Sequence, residues 1–236
     1  MPSLWPTPAP SGARPDQLGH RERLRQRAAS ARLAALPDYE LLELVLFRTF
    51  PRGEVKPLAK ALLARFGSLA AIGAASLAEL KTVAGIGEAA ALDLKLLHEI
   101  TLRIVKAPVL KRPVIGSWSA LLGYLHVALA HETSEKFRAL FLDHKHQLLA
   151  DEMIRQGTVD HAPAYPREVM RRALELSASG IFLVHNHPSG DPTSSRPDIE
   201  LTRQIVEAGR AMRITVHDHL FVGREGVASF NNLGLI

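Results

Sequence analysis

The 236-residue chain contains no cysteine. Disulfides are excluded, and so are thiolate metal sites, which leaves histidine and carboxylate as the ligands on which any metal must rest. No apolar run approaches the roughly 18 residues that a membrane-spanning helix needs. The N-terminus also lacks the basic-then-apolar pattern of a secretory signal, so the expected setting is cytoplasmic, with no membrane partner. What the chain does have is 47% hydrophobic residues, enough over this length for one large or two small cores. Two domains are expected. The formal net charge of +5 favours contact with a polyanion, as an argument about the field of the whole chain.

The chemistry concentrates in the stretch from Gly180 to Asp198. Ile181, Phe182, Leu183 and Val184 form an apolar run that reads as a buried strand, stopping at His185-Asn186-His187 and a Pro-Ser-Gly turn. Side chains two apart on a strand share a face, so His185 and His187 present both imidazoles to one side, half of a zinc site. Ser195 and Asp198 then open a long helical pattern, and the intervening turn can fold the carboxylate back as a third ligand, leaving a fourth position for water. Each half has an ordinary explanation. H-x-H at a strand end is often a structural or surface pair, and S-x-x-D ahead of an amphipathic helix is a capping box. Their conjunction across seven intervening residues is what singles the stretch out.

Before that stretch the chain divides by composition. Residues 1–18 carry Pro2, Pro6, Pro8, Pro10 and Pro15 with serine and glycine between them and are expected to be a disordered leader. Residues 19–106 are expected to form an all-helical domain. It opens on a helix carrying Arg21, Arg23, Arg25 and Arg27, either a phosphate-docking face or a solvated one. Gly85-Ile86-Gly87 between two short helices resembles a helix-hairpin-helix turn, whose glycines and helix N-terminus suit a phosphate. Glu88 stands where a basic or small residue would help, so a hairpin that only packs is the alternative. Residues 107–113, with Pro108 and Pro113, read as a linker.

Residues 114–236 interleave strands and helices, which implies an α/β sandwich over a mixed sheet. Ser117 caps an expected helix, Phe137 to Asp143 and Leu148 to Arg155 form a hairpin, and Gly157 with Thr158 begins a loop. His144-x-His146 is expected to be a surface turn. On the strand Ile214 to Gly223, His217 and His219 are expected on one face and Asp218 on the other, with Asp218 or His219 able to orient a metal ligand.

The spacing His185-x-His187-x7-Ser195-x-x-Asp198 resembles the JAMM signature of MPN-type zinc metalloproteases, and the surrounding H-N-H-P-S-G-D-P resembles the RadC family of bacterial proteins. His20-Arg-Glu-Arg-Leu-Arg, Asp38-Tyr-Glu-Leu-Leu-Glu, Gly85-Ile-Gly, Pro166-Arg-Glu-Val and the closing Gly234-Leu carry the same resemblance, so it covers nearly the whole chain. It implies a JAMM/MPN-like (cytidine-deaminase-like) domain with one bound zinc per chain. JAMM enzymes also use a glutamate just before the first strand of the domain as proton shuttle. Glu135 occupies that position, and Glu168, nearer in sequence to the histidines, is its competitor.

From these parts follows hydrolysis of a peptide or isopeptide bond. His185, His187 and Asp198 would hold zinc, Glu135 would carry a proton from water to the leaving amine, and Ser195 would hydrogen-bond the oxyanion. The rivals are a DNA-associated module working through the helical domain, and a nuclease, although nucleases of that kind usually use two metals about 4 Å apart. The substrate and the oligomeric state are left open.

Overall fold

The computed structural model describes residues 15–30, 33–111, 114, 116, 118–157 and 165–236. Most of the expected leader, Ser117 and Thr158 lie outside them. The chain falls into two compact units, one comprising the chain up to Ile72 with Ser76–Lys95, the other Gly73–Ala75 with Leu96–Ile236.

The first unit is helical. Helices α1 (Pro15–Ser30), α2 (Asp38–Thr49), α3 (Lys56–Phe66), α4 (Leu69–Ala74), α5 (Leu77–Leu80) and the start of α6 (Glu88–Lys111) follow one another. Leu42, Leu46, Phe47, Ala59, Leu62, Ile72 and Leu80 are buried and supply its core. Helix α1 begins inside the last residues expected for the leader. Several of its polar side chains turn to α2: His20 Nε2 lies 2.7 Å from Glu43 Oε2, Arg27 pairs with Glu40, and the Arg21 guanidinium sits 4.4 Å over the Phe47 ring. Gly85 has φ of 89°, in the left-handed region that favours glycine, so the turn before α6 demands glycine.

Helix α6 corrects the expected linker. It runs on to Lys111 with Pro108 inside it, so residues 107–111 are helical. An internal proline costs a helix about 3 kcal/mol. Leu102, Val105 and Val109, spaced three and four apart, offset that by packing into the core of the second unit.

The second unit holds helix α7 (Trp118–Leu129), strands β1 (Lys136–Leu142) and β2 (Leu148–Gln156), helix α8 (Pro166–Glu175), strand β3 (Gly180–Asn186), helix α9 (Arg196–Ala211) and strands β4 (Thr215–Gly223) and β5 (Gly226–Ser229). The sheet order is β2-β1-β3-β4-β5, antiparallel except for the parallel β3 and β4. Alternation along β3 divides the core. Phe182 and Val184 join Leu121, Leu125 and Leu129 of α7 on one face, while Ile181 and Leu183 join Val169 and Met170 of α8 and Ile205 of α9 on the other.

On the α7 face, the Asp151 side chain is 1% exposed. Arg138 donates to its Oδ1 at 3.0 and 2.6 Å, and Lys106 and the Tyr124 hydroxyl donate to Oδ2. Burial alone would raise the Asp151 pKa, but Arg138, Tyr124 and Lys106 outweigh it and hold the carboxyl below its ordinary value. Among the described residues no helix is long and apolar enough to cross a membrane.

Candidate metal centre

Strand β3 is buried along its whole length, so the chain delivers His185 at 5% exposure and places His187 just beyond the strand end. The two rings lie 5.0 Å apart, steeply inclined at 80°. His187 Nδ1 is 2.9 Å from the Asp191 carbonyl oxygen, which can only accept. The proton is therefore on Nδ1, and the Nε2 lone pair is left for a metal. The loop that supplies this carbonyl is closed by a bond from the Gly190 amide to His187 O at 2.9 Å, and by the Arg224 amide donating to Gly190 O at 3.1 Å. Gly190 has φ of 93°, and a Cβ would meet Arg224 Nε at 2.5 Å.

Asp198 arrives from the other side, on the first turn of α9. Ser195 caps that helix: its hydroxyl accepts from the Asp198 amide at 3.3 Å, while its own amide and hydroxyl donate to Asp198 Oδ2 at 2.8 and 2.6 Å. The atoms that cap the helix are thus the ones that face the histidines, so the capping explanation of S-x-x-D holds and leaves the carboxylate turned toward both rings. The Ser195 hydroxyl is directed at the carboxylate. Asp198 Oδ1 faces His185 Nδ1 at 3.4 Å and its Oδ2 faces His187 Nε2 at 3.9 Å. Burial would raise the Asp198 pKa, but His185 beside it and the two Ser195 donors outweigh that and hold the carboxyl well below the usual carboxylate range.

One potential ligand atom from each of His185, His187 and Asp198 lies within 4.8 Å of the others, and among the described residues no other group of three has ligands so placed. Atoms sharing one tetrahedral zinc are about 3.4 Å apart, so the set closes on an ion with shifts on the order of 1 Å. His185 Nδ1 is buried without a hydrogen bond, an orphaned nitrogen whose chemistry fits a cation. Two imidazoles and an anionic carboxylate, with no thiolate available, fit zinc.

Glu135 lies immediately before β1, and its Oε1 is 2.5 Å from His185 Nε2. Glu168 is elsewhere, in the first turn of α8, lining a groove with Glu152, Arg171, Arg172 and Glu175. Sequence reasoning passed over Asn186, whose side chain grips the segment bearing Glu135, and the Asp191 carbonyl that orients His187. Asn186 stood in plain view as the middle of H-x-H.

The expectation for β4 needs correcting. His217 stacks on Phe182, in the α7-side core, at 5.4 Å, whereas His219 packs at 5.6 Å against Phe137 in the other core. The cause is a register shift between Ile181 and Phe182, where β4 takes an extra residue, and such a bulge swaps the faces of the residues beyond it. Asp218 ties the C-terminal turn instead of a ligand, accepting from Ser229 Oγ at 2.5 Å and the Asn231 amide at 2.9 Å. His219 does reach the centre indirectly. Its Nδ1 is 2.6 Å from Thr202 Oγ1, whose one proton goes to the Asp198 carbonyl at 2.6 Å, so the imidazole is the donor to the hydroxyl. Of the H-x-H turn at His144 and His146, His144 is exposed, but the His146 ring is half-buried and packs on His217 at 5.0 Å.

Two family models match the chain: the RadC-like JAB domain over residues 115–235 and the UPF0758 N-terminal domain over residues 16–92.

Proposed function

Because the chain belongs to the RadC-like JAB domain family, we propose that it is a zinc-dependent hydrolase cleaving a peptide or isopeptide bond in a peptide or protein substrate. What supports this reading is the convergence of His185, His187 and Asp198 with Glu135 at their edge. Bound zinc would lower the pKa of a water toward neutrality and polarise a carbonyl. His185, His187 and Asp198 would hold it, and the low pKa of Asp198 keeps that ligand anionic at every physiological pH. Glu135 would accept the proton of the attacking water and return it to the leaving amine. Ser195 would hydrogen-bond the oxyanion only by releasing the bond its hydroxyl makes to Asp198 Oδ2, which the Ser195 backbone amide would then hold alone. A cytoplasmic setting accords with a site built without cysteine.

The test incubates the full chain with a peptide library and, separately, with nicked and branched DNA, each with and without a chelator. Peptide cleavage abolished by the chelator, together with loss of metal from His187→Ala, is the expected result. Unchanged metal content in that variant removes the site, and chelator-sensitive DNA cleavage reassigns it to a nuclease.

As a second reading we propose DNA contact through the helical unit in the manner of a helix-hairpin-helix. It draws support from the Gly85 turn with Ile86 buried and Gly87 open at the N-terminus of α6. Glu88 opposes it less than its charge suggests, since Lys81 Nζ pairs with it at 2.6 Å. Binding to duplex DNA that weakens steeply with salt is expected, and a flat salt response discards the reading.

A further inference from the structure

Asn186 sits between the two histidines, on the last residue of β3, at 1% exposure. Strand alternation turns its side chain to the face opposite the ring of His185, and there the carboxamide bends over to the start of β1. Register pairs it with Lys136, where the β1 and β3 ladder runs out. Beyond that rung the side chain continues the pairing: Asn186 Oδ1 accepts from the Lys136 amide at 2.8 Å, and its Nδ2 donates to the Ser134 carbonyl at 3.1 Å. One carboxamide thus holds the peptide groups on both sides of Glu135. A third bond completes the grip, the Gly157 amide donating to the Glu135 carbonyl at 2.9 Å. Backbone fixed at residues 134, 135 and 136 leaves Glu135 only its own side-chain torsions, and its carboxylate meets His185.

We infer that Asn186 is a positioning residue for Glu135, and that the middle of H-x-H couples placement of the proton-carrying carboxylate to placement of the metal ligands. The inference rests on the reading of Glu135 as the group that serves the water of the metal site. The chemistry demands an amide here. A carboxamide carries its acceptor and its donor on two separate atoms, which lets it reach two peptide groups flanking one residue where a serine hydroxyl is too short to span both, and a carboxylate would set a negative charge against the Ser134 carbonyl. The Asn186 side chain bonds neither ring, so a change there reaches His185 only through Glu135 and leaves His187 untouched.

The experiment compares wild type, Asn186→Ala, Asn186→Ser and Glu135→Gln as full-length chains. It measures metal content, hydrogen exchange of the Lys136 amide, and the visible spectrum of the cobalt(II)-loaded protein as a function of pH. The serine variant retains a polar strand residue should the alanine variant fail to fold. Expected are unchanged metal content, Lys136 exchange faster by about tenfold or more on loss of a buried hydrogen bond, and a cobalt pH profile in both Asn186 variants displaced toward that of Glu135→Gln. A wild-type profile in the Asn186 variants, beside a displaced one in Glu135→Gln, overturns the inference alone. Loss of metal comparable to His187→Ala overturns it in favour of a scaffold role for the histidines. A wild-type profile in Glu135→Gln overturns both the inference and the reading beneath it.

Discussion

Glu135 and His185 are 50 residues apart in the chain, and their side chains meet at 2.5 Å. The antiparallel register of β1 and β3 brings this about, since Phe137 lies opposite His185 and the chain before β1 passes the mouth of the site. No comparable contact joins Glu168 to the histidines among the described residues. Glu135→Gln should therefore keep the metal and lose about 10²- to 10⁴-fold in hydrolysis, the range for removal of a general acid-base group. Glu168→Gln should hydrolyse the same library peptide at the wild-type rate. The reverse ranking would transfer the proton-carrying role to α8.

Ser195→Ala makes a separate prediction, because the serine caps α9 and hydrogen-bonds the Asp198 carboxylate at once. Loss of the cap should lower stability by about 1 kcal/mol. Loss of the hydroxyl bond to Asp198 Oδ2 should also weaken metal binding by about 10- to 100-fold, as removal of a ligand's hydrogen-bond partner does. Urea unfolding of chelator-treated protein reads the first effect and competition with a chromophoric chelator the second. An intact affinity in a destabilised variant would reduce Ser195 to a helix cap.

Asp151→Asn tests the other face of the sheet. The carboxylate is 1% exposed and balances Arg138 and Lys106, which have side-chain exposures of 17% and 31%. Neutralising it strands two cations in a poorly solvated place and should cost about 3 kcal/mol. The measurement is the urea midpoint at neutral pH, with the m-value unchanged. A loss under roughly 0.5 kcal/mol would show that water already screens the cluster.

What the sequence made legible was local. The apolar run of β3 and the alternation that puts two imidazoles at its end depend on neighbouring residues, and the same holds for the S-x-x-D start of α9. Glu135 was reachable only through family resemblance, because its place depends on a register between strands whose partners are 50 residues apart. Pro108 pointed to a linker because a local rule treats proline as a helix breaker, and burial of Val109 and its neighbours overrode that rule. Counting in twos puts His217 and His219 on one face, and a single extra residue in β4 defeats such counting. Asn186 was legible as a letter and illegible as a contact, since nothing in H-N-H reveals that an amide will close over the peptide groups of another strand.

His219 carries the pH dependence that the fold itself predicts. It is fully buried, and burial, with His185 and His187 nearby and Asp198 opposing, pushes its pKa down to about 3. In the unfolded chain a histidine titrates near 6.5. Because the folded value is the lower one, the contribution of His219 to stability is complete above about pH 6.5 and is lost progressively as pH falls toward 3, by about 1.4 kcal/mol per unit. Asp198 does not blur this window, for its depressed pKa removes stability only below the ordinary carboxylate range. His131 and His217 are also lowered by burial and act in the same direction. The informative quantity is thus the difference between wild type and His219→Asn, whose amide can still face Thr202 Oγ1. Urea midpoints of the metal-free proteins between pH 4.5 and 7 should fall more steeply for wild type, with curves that converge as the pH drops. Parallel curves would mean that His219 takes up its proton in the folded protein, and that the pocket formed by Phe137, Phe221 and Phe230 admits water.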